Sequence, residues 1–285
     1  MSFKPHVLGH RGAVLPEGTI FQNSMPAFKL ALEHSEGFET DACLSADGEV
    51  FLIHEEYGTF RKGLAPYLNA ESLKQTAGRR LDEMQASEIK ELKLICGSQI
   101  PTLAEAIDLI ASYEGKTINI ELKGYNVFPA VRQQLEAAFA EGKVTPDQVM
   151  VSSFDHAVML EVRKTNPALK VGALFVDKRH AKNKIYPHTE SKSCYTPIKP
   201  AALGTDIIAE INPDYIIIPH IAASVDICAA VAQMPSKTKL AVWVVSERGD
   251  SNPLAFLQKL VGQPHSEVLD TIIVDDPQDP VLAQL

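Results

Sequence analysis

Short apolar runs recur along the chain, spaced by stretches with helical periodicity. Runs of strand-favouring residues fall at 6–10, 38–42, 49–54, 117–122, 149–153, 171–175, 215–218, 240–245 and 271–274. Between most of them, apolar side chains return every three or four positions, at 24–34, 103–113, 127–141, 156–165, 222–233 and 254–261. Strands alternating with helices predict a parallel sheet with the helices packed outside it.

Nine candidate strands are one more than an eight-stranded barrel needs. The surplus has a local origin. Asp47-Gly48 lies between the apolar run at 42–46 and the run at 49–54, and Asp-Gly is a strong hairpin signal. The chain is expected to run out of its second strand, turn, and return antiparallel. With Asp47 and Gly48 as the two central turn residues, Ala46 pairs with Glu49 and Asp41 falls opposite His54. The expected architecture is α/β: a single (β/α)8 TIM barrel over residues 1–285, with a small β-hairpin excursion after the second strand. Residues 56–99 read as an irregular lid or packing unit with a helix-like stretch at 87–94. Residues 177–199 read as a long loop at the end of the barrel where active sites lie.

Composition narrows the functional classes. Of 285 residues, 45% are apolar and 22% charged, enough to fill a core without staples. The net charge of −9 disfavours nucleic acid and anionic membrane as partners, because neither is attracted to an acidic surface. An anionic substrate then needs a local pocket of cations. No apolar run reaches the ~18 residues of a membrane span. Residues 1–5 lead straight into a strand with no secretory pattern, and Cys43, Cys96, Cys194 and Cys228 fit no zinc spacing. Both features read as a cytoplasmic protein with reduced thiols and no stable membrane insertion.

Polar residues at the C-terminal ends of barrel strands carry the chemistry. The first strand ends in His10-Arg11-Gly12. The second carries Glu39 and Asp41, which share one face because they are two residues apart. The run at 117–122 carries Glu121 and leads to Lys123, again two apart. Clustered carboxylates repel one another unless a cation neutralises them, and all-oxygen donors suit a hard ion, Mg²⁺ or Ca²⁺. Arg11 and Lys123 offer positive charge to an anion beside that ion. His10 and His54 offer a general acid and a general base. Taken one at a time, these residues have plainer readings. Glu39 and Asp41 could be salt-bridge partners, Lys123 a solvated lysine, and Trp243 barrel packing. Asp275-Asp276-Pro277 reads as a strand end followed by a helix cap.

In order and spacing, these motifs resemble the glycerophosphodiester phosphodiesterase family. The resemblance is carried by His10-Arg11-Gly12, Asn23-Ser24, Glu39-Thr40-Asp41, Asp47-Gly48, His54-Glu55, Ile100 to Glu105, Glu121-Leu122-Lys123, Ser153-Phe154, Ala241-Val242-Trp243 and Val274 to Pro277. It implies a β/α barrel that hydrolyses a glycerophosphodiester to an alcohol and a phosphomonoester. It also implies His10 and His54 as the acid–base pair, and Glu39, Asp41 and Glu121 as metal ligands. Arg11 and Lys123 would contact phosphate, and Trp243 would line the substrate pocket. Two positions depart from the pattern. Asn23 is aligned through its spacing to Phe28 rather than through Pro16-Glu17-Gly18-Thr19, which makes Asn23 the expected helix N-cap and puts Gln22 where the family has Glu. Glu55 stands where the family has Asp. Two further readings remain open: a related barrel phospholipase acting on lysophospholipid or sphingolipid head groups, and a non-catalytic phosphodiester-binding barrel.

Overall fold

The computed structural model describes residues 4–14, 20–55, 63–124, 126–178, 195–244 and 254–282. The strands are β1 (His6–Gly9), β2 (Gly37–Leu44), β3 (Val50–Leu52), β4 (Thr117–Leu122), β5 (Val149–Ser153), β6 (Lys170–Leu174), β7 (Tyr215–Pro219), β8 (Lys239–Val244) and β9 (Leu269–Val274). All but β3 pair in parallel, in the order β1-β9-β8-β7-β6-β5-β4-β2, and β1 also pairs with β2. Eight parallel strands therefore close on themselves. The ninth, β3, lies antiparallel against β2 outside the ring.

The helices are α1 (Met25–His34), α2 (Ala70–Gln75), α3 (Ala86–Ile89), α4 (Leu103–Ala111), α5 (Val127–Ala140), α6 (His156–Thr165), α7 (Pro200–Leu203), α8 (Asp206–Ile211), α9 (Val225–Ala232) and α10 (Ala255–Leu260). Local sequence explains several starts. Thr102 and Glu105 form a reciprocal capping box ahead of α4, and Asp155 accepts from two main-chain N–H groups at the head of α6. Helix α1 is capped by Ser24 rather than by Asn23, which has another task described below. The short α7 and α8, between β6 and β7, carry too little periodicity to be expected from sequence. Most of the loop expected at 177–199 lies outside the described residues, as do Cys194 and Pro16 to Thr19. Among the described residues no helix is long and apolar enough to cross a membrane.

Burial separates three layers. The largest core lies between the strands and the helices, where Phe28 of α1 stacks on Phe38 of β2 with centroids 4.4 Å apart. A smaller one fills the barrel, with Leu8, Met150, Leu174, Ile217 and Ile273 pointing inward. The third belongs to the excursion. There Cys43, Phe51 and Ile53 pack against Tyr67, Leu68, Leu81, Met84, Ile89, Leu92 and Leu94.

The hairpin differs from expectation by one residue. Ala42 pairs with Leu52, Cys43 with Phe51 and Leu44 with Val50, and the Ile53 N–H donates to the Asp41 carbonyl at 2.9 Å. Asp41 is thus opposite Ile53, not His54. The loop has three residues, Ala46 to Gly48, rather than two. The Gly48 N–H donates to the Ser45 carbonyl, and Gly48 sits at φ +89°. A type I turn followed by a left-handed glycine is the usual three-residue hairpin loop.

Candidate active site

β1 ends in a tight turn. Arg11 is left-handed at φ +55°, and Gly12 follows at φ +87°. A Cβ on Gly12 would lie 2.7 Å from the Ala27 backbone, so only glycine lets this turn rest on α1. The turn directs the Arg11 N–H to Glu39 Oε2 at 2.9 Å, while Arg11 Nε lies 3.1 Å from Asp41 Oδ2. Gln22, where an acid was expected, accepts from Arg11 Nη1 at 2.5 Å. Asn23 takes φ +49° and donates from Nδ2 to Asp41 Oδ2 at 2.9 Å, while its Oδ1 accepts from the Thr40 hydroxyl at 2.7 Å. It therefore orients a carboxylate instead of capping a helix.

Sheet register brings the acids together. Glu39 and Asp41 are two apart on β2, and β2 pairs with β4 so that Asp41 is beside Glu121. One carboxylate oxygen from each of Glu39, Asp41 and Glu121 lies within 4.8 Å of the others, and all three residues are buried. Lys123, just past β4, holds its ammonium 3.0 Å from Asp41 Oδ1 and donates to Glu121.

The charges respond to one another. Burial drives the Glu39 carboxyl well above its ordinary range, and neighbouring Asp41 and Glu121 push the same way. Glu121 is also raised, by burial first, with Lys123 opposing. Burial acts on Asp41 too, but Lys123, His54 and Arg11 outweigh it and hold that carboxyl below its ordinary range. Lys123 is raised because Asp41 and Glu121 offset its desolvation.

With all three acids ionised, the two fixed cations, Arg11 and Lys123, would leave one negative charge, and burial resists that ionisation at Glu39 first. A divalent ion would reverse that net charge to one positive, which a phosphodiester anion cancels. The donor set fits such an ion. The donors are three carboxylates on rigid strands, buried, all oxygen, with Glu39 unable to ionise comfortably without more positive charge.

The two histidines are held differently. β1 lies beside β9 with Gly9 paired to Val274, so the residues that follow each strand are neighbours. His10 Nδ1 is 2.7 Å from Asp275 Oδ1. A carboxylate only accepts, so Nδ1 carries the proton and Nε2 is left as the basic nitrogen. Asp275 is therefore a partner of His10, while the capping expected of this segment is done by Asp276, whose Oδ1 accepts from the Gln278 N–H at 2.8 Å. His54 Nδ1 is instead 2.9 Å from the Tyr67 hydroxyl. Glu55 is buried, and both of its carboxylate oxygens lie 3.4 Å from the Leu81 N–H, on the side of the excursion.

These groups share one cavity of about 280 Å³ at the C-terminal end of the barrel. His10, Arg11, Glu39, His54, Glu121, Lys123 and Trp243 all line it, and Asp41 lies beneath, fully buried. Another part of the lining is apolar and aromatic, and Lys123 Nζ lies 5.9 Å from the Phe154 ring centroid. Phe154 stands edge-on to Trp243 at 6.5 Å and tilts against Tyr195 at 4.6 Å, with Leu174, Ile217 and Ile221 beside them. The Trp243 indole N–H is shielded from solvent with no hydrogen-bond partner among the described residues.

Sequence reasoning missed Asp275, Tyr67 and Phe154 as parts of this site. Phe154 stood among the motifs that carry the family resemblance, and Asp275 had a topological signal as well: closing a barrel must place the end of its last strand beside the end of its first.

Comparison with known proteins adds the family and the fold. The profile of the glycerophosphoryl diester phosphodiesterase family matches residues 10–213. A glycerophosphodiester phosphodiesterase of Caldanaerobacter subterraneus is 32% identical over 177 residues, covering 60% of this chain and 67% of that protein. One from Bacillus altitudinis is 27% identical over 214 residues, covering 73% and 82%. Among solved structures, an Oleispira antarctica phosphodiesterase in complex with the product sn-glycerol-3-phosphate superposes with a TM-score of 0.62. It is 19% identical, and 99% of this chain and 98% of that one are covered. A structure from Galdieria sulphuraria gives 0.68 at 19% identity over 98% of both chains.

Proposed function

Because the chain belongs to the glycerophosphoryl diester phosphodiesterase family, we propose that it hydrolyses glycerophosphodiesters to an alcohol and glycerol phosphate, in a single barrel domain and with a bound divalent cation. The observation that carries this reading is the meeting of three carboxylates, two cations and two imidazoles around one cavity. Glu39, Asp41 and Glu121 would hold Mg²⁺ or Ca²⁺, which when bound supplies Lewis-acid polarisation of a phosphoryl oxygen. Arg11 and Lys123 neutralise the phosphate and fix its orientation. His10 and His54 form the acid–base pair. One takes a proton from the attacking hydroxyl or water, and the other returns one to the departing alcohol. Trp243, with Phe154 and Tyr195, excludes water from the alcohol side. Cys43, Cys96 and Cys228 are free thiols, which suits action in the cytoplasm.

The test is a panel of glycerophospho-alcohols assayed after EDTA treatment and again after adding Mg²⁺ or Ca²⁺. Activity is expected to vanish with chelation and return with the metal. Full turnover in EDTA would remove the metal from the reaction, and unchanged rates in His10→Ala and His54→Ala would remove the acid–base pair. The alternative is a phospholipase acting on lysophospholipid or sphingolipid head groups. Ile221 and Val225, each 37% exposed at the active-site end of the barrel, offer it a small apolar rim. Co-sedimentation with vesicles together with hydrolysis of lysophospholipid would favour it.

A further inference from the structure

The Tyr67 hydroxyl lies 2.9 Å from His54 Nδ1, although Tyr67 belongs to the excursion rather than to the barrel. Resting on the acid–base pair just described, we propose that Tyr67 is a positioning residue for His54, so that the excursion core sets the orientation of one of the two reacting imidazoles.

His54 needs such a support. The last described ladder contact of its segment is made by Ile53, whose N–H reaches the Asp41 carbonyl. One residue later the sheet no longer dictates where the side chain points. Tyr67, by contrast, is immobilised. It is 4% exposed, its N–H donates to the Leu64 carbonyl at 3.0 Å, and its carbonyl accepts from the Ile95 N–H at 2.9 Å. Its ring leans on Phe21 at 6.4 Å and packs in the same cluster as Phe51, Ile53 and Leu94. It meets the imidazole edge-on, centroids 5.9 Å apart at 63°. A ring contact and a hydrogen bond together fix both the swing and the rotation of the His54 ring.

The partner's chemistry matters as much as its place. A phenol both donates and accepts. It can donate to a bare Nδ1 in one neutral tautomer of His54, or accept from Nδ1–H in the other. It accepts from Nδ1–H when His54 is charged. The imidazole can therefore change protonation state without leaving its position. The carboxylate beneath His10 only accepts, so it selects the Nδ1–H tautomer there, a restriction the phenol does not impose on His54.

Tyr67→Phe removes the oxygen and keeps the packing ring. With metal-loaded wild-type enzyme and His54→Gln as references, kcat for a glycerophosphodiester is expected to fall about tenfold or more, a share of what an acid–base residue supplies, with KM unchanged. Nitrogen-15 NMR of the His54 ring is expected to show a different balance of neutral tautomers in Tyr67→Phe than in the wild type. An unchanged kcat in Tyr67→Phe beside an inactive His54→Gln would overturn the inference, as would identical ring spectra. If the wild type hydrolyses no glycerophosphodiester, the proposed function fails, while the spectra still decide whether Tyr67 sets the His54 ring.

Discussion

His10 and Asp275 meet across the seam between the first and last strands, and the contact is specific enough to be tested by a single atom. Asp275→Asn keeps the shape but lets the amide donate, which favours the wrong His10 tautomer. The kcat is expected to fall by roughly a hundredfold or more, within the contribution of acid–base catalysis, with little change in unfolding temperature. Steady-state kinetics with parallel thermal melts will show whether the loss is chemical. Asn23 makes the opposite case, because its role is structural. Asn23→Ala leaves Asp41 Oδ2 and the Thr40 hydroxyl without their buried amide, a cost of about 1–3 kcal/mol. It also puts alanine at φ +49°, which adds strain. Urea denaturation is the measurement, and an unchanged midpoint would contradict this account.

At the level of elements, the turn after β1 is the most constrained connection in the site. Gly12→Ala combines a left-handed backbone with a clash against Ala27, so α1 or the turn must move. A loss of about 1–3 kcal/mol is expected from the backbone alone, together with a disproportionate loss of activity, because Arg11 is carried by the same turn. Melting curves and kcat measured on one preparation separate the two effects.

The same scale shows what could be read from the chain. Strand order and the hairpin were legible because a period-two or apolar run bounded by turn residues has a local cause. Glu39, Asp41, Glu121 and Lys123 were legible because the two-residue spacing fixes a shared face. The hairpin register was not. Asp47-Gly48 serves two-residue and three-residue loops alike, and the choice was settled by the Ser45–Gly48 turn bond, which spacing does not reveal. Tyr67 was beyond reach for a different reason. Its place depends on a cluster joining Cys43 to Ile100, whose members follow no single period.

For the molecule as a whole, the buried acids would, as the proposed metal ligands, link metal, proton and stability. In metal-free protein, the folded-state pKa values of Glu39 and Glu121 are raised, so their contribution to stability is intact below the ordinary glutamate range and is lost as pH rises through the elevated values. Asp41, held low, contributes above the ordinary aspartate range and loses that contribution only as pH falls through its depressed value. A cation held by the proposed ligands would compete with protons for the two glutamates, so its binding would strengthen as pH rises. Thermal shift assays in EDTA and in Ca²⁺ or Mg²⁺ are expected to show a small difference at pH 5 and a large one at pH 8. The stabilisation approaches about 2.7 kcal/mol at a hundredfold excess over Kd. Equal shifts at both pH values would argue that the ion binds elsewhere.

The pairing of β1 with both β2 and β9 has a consequence for how the enzyme is made. A ribosome that has released everything through β8 has already delivered both imidazoles, all three acids and both cations. Yet one edge of β1 still lacks its neighbour, and His10 still lacks Asp275. If His10 acts as proposed, catalytic competence would arrive in one late event, when the last strand zips into the gap. Half-made or clipped chains lacking it would be silent hydrolases rather than careless ones.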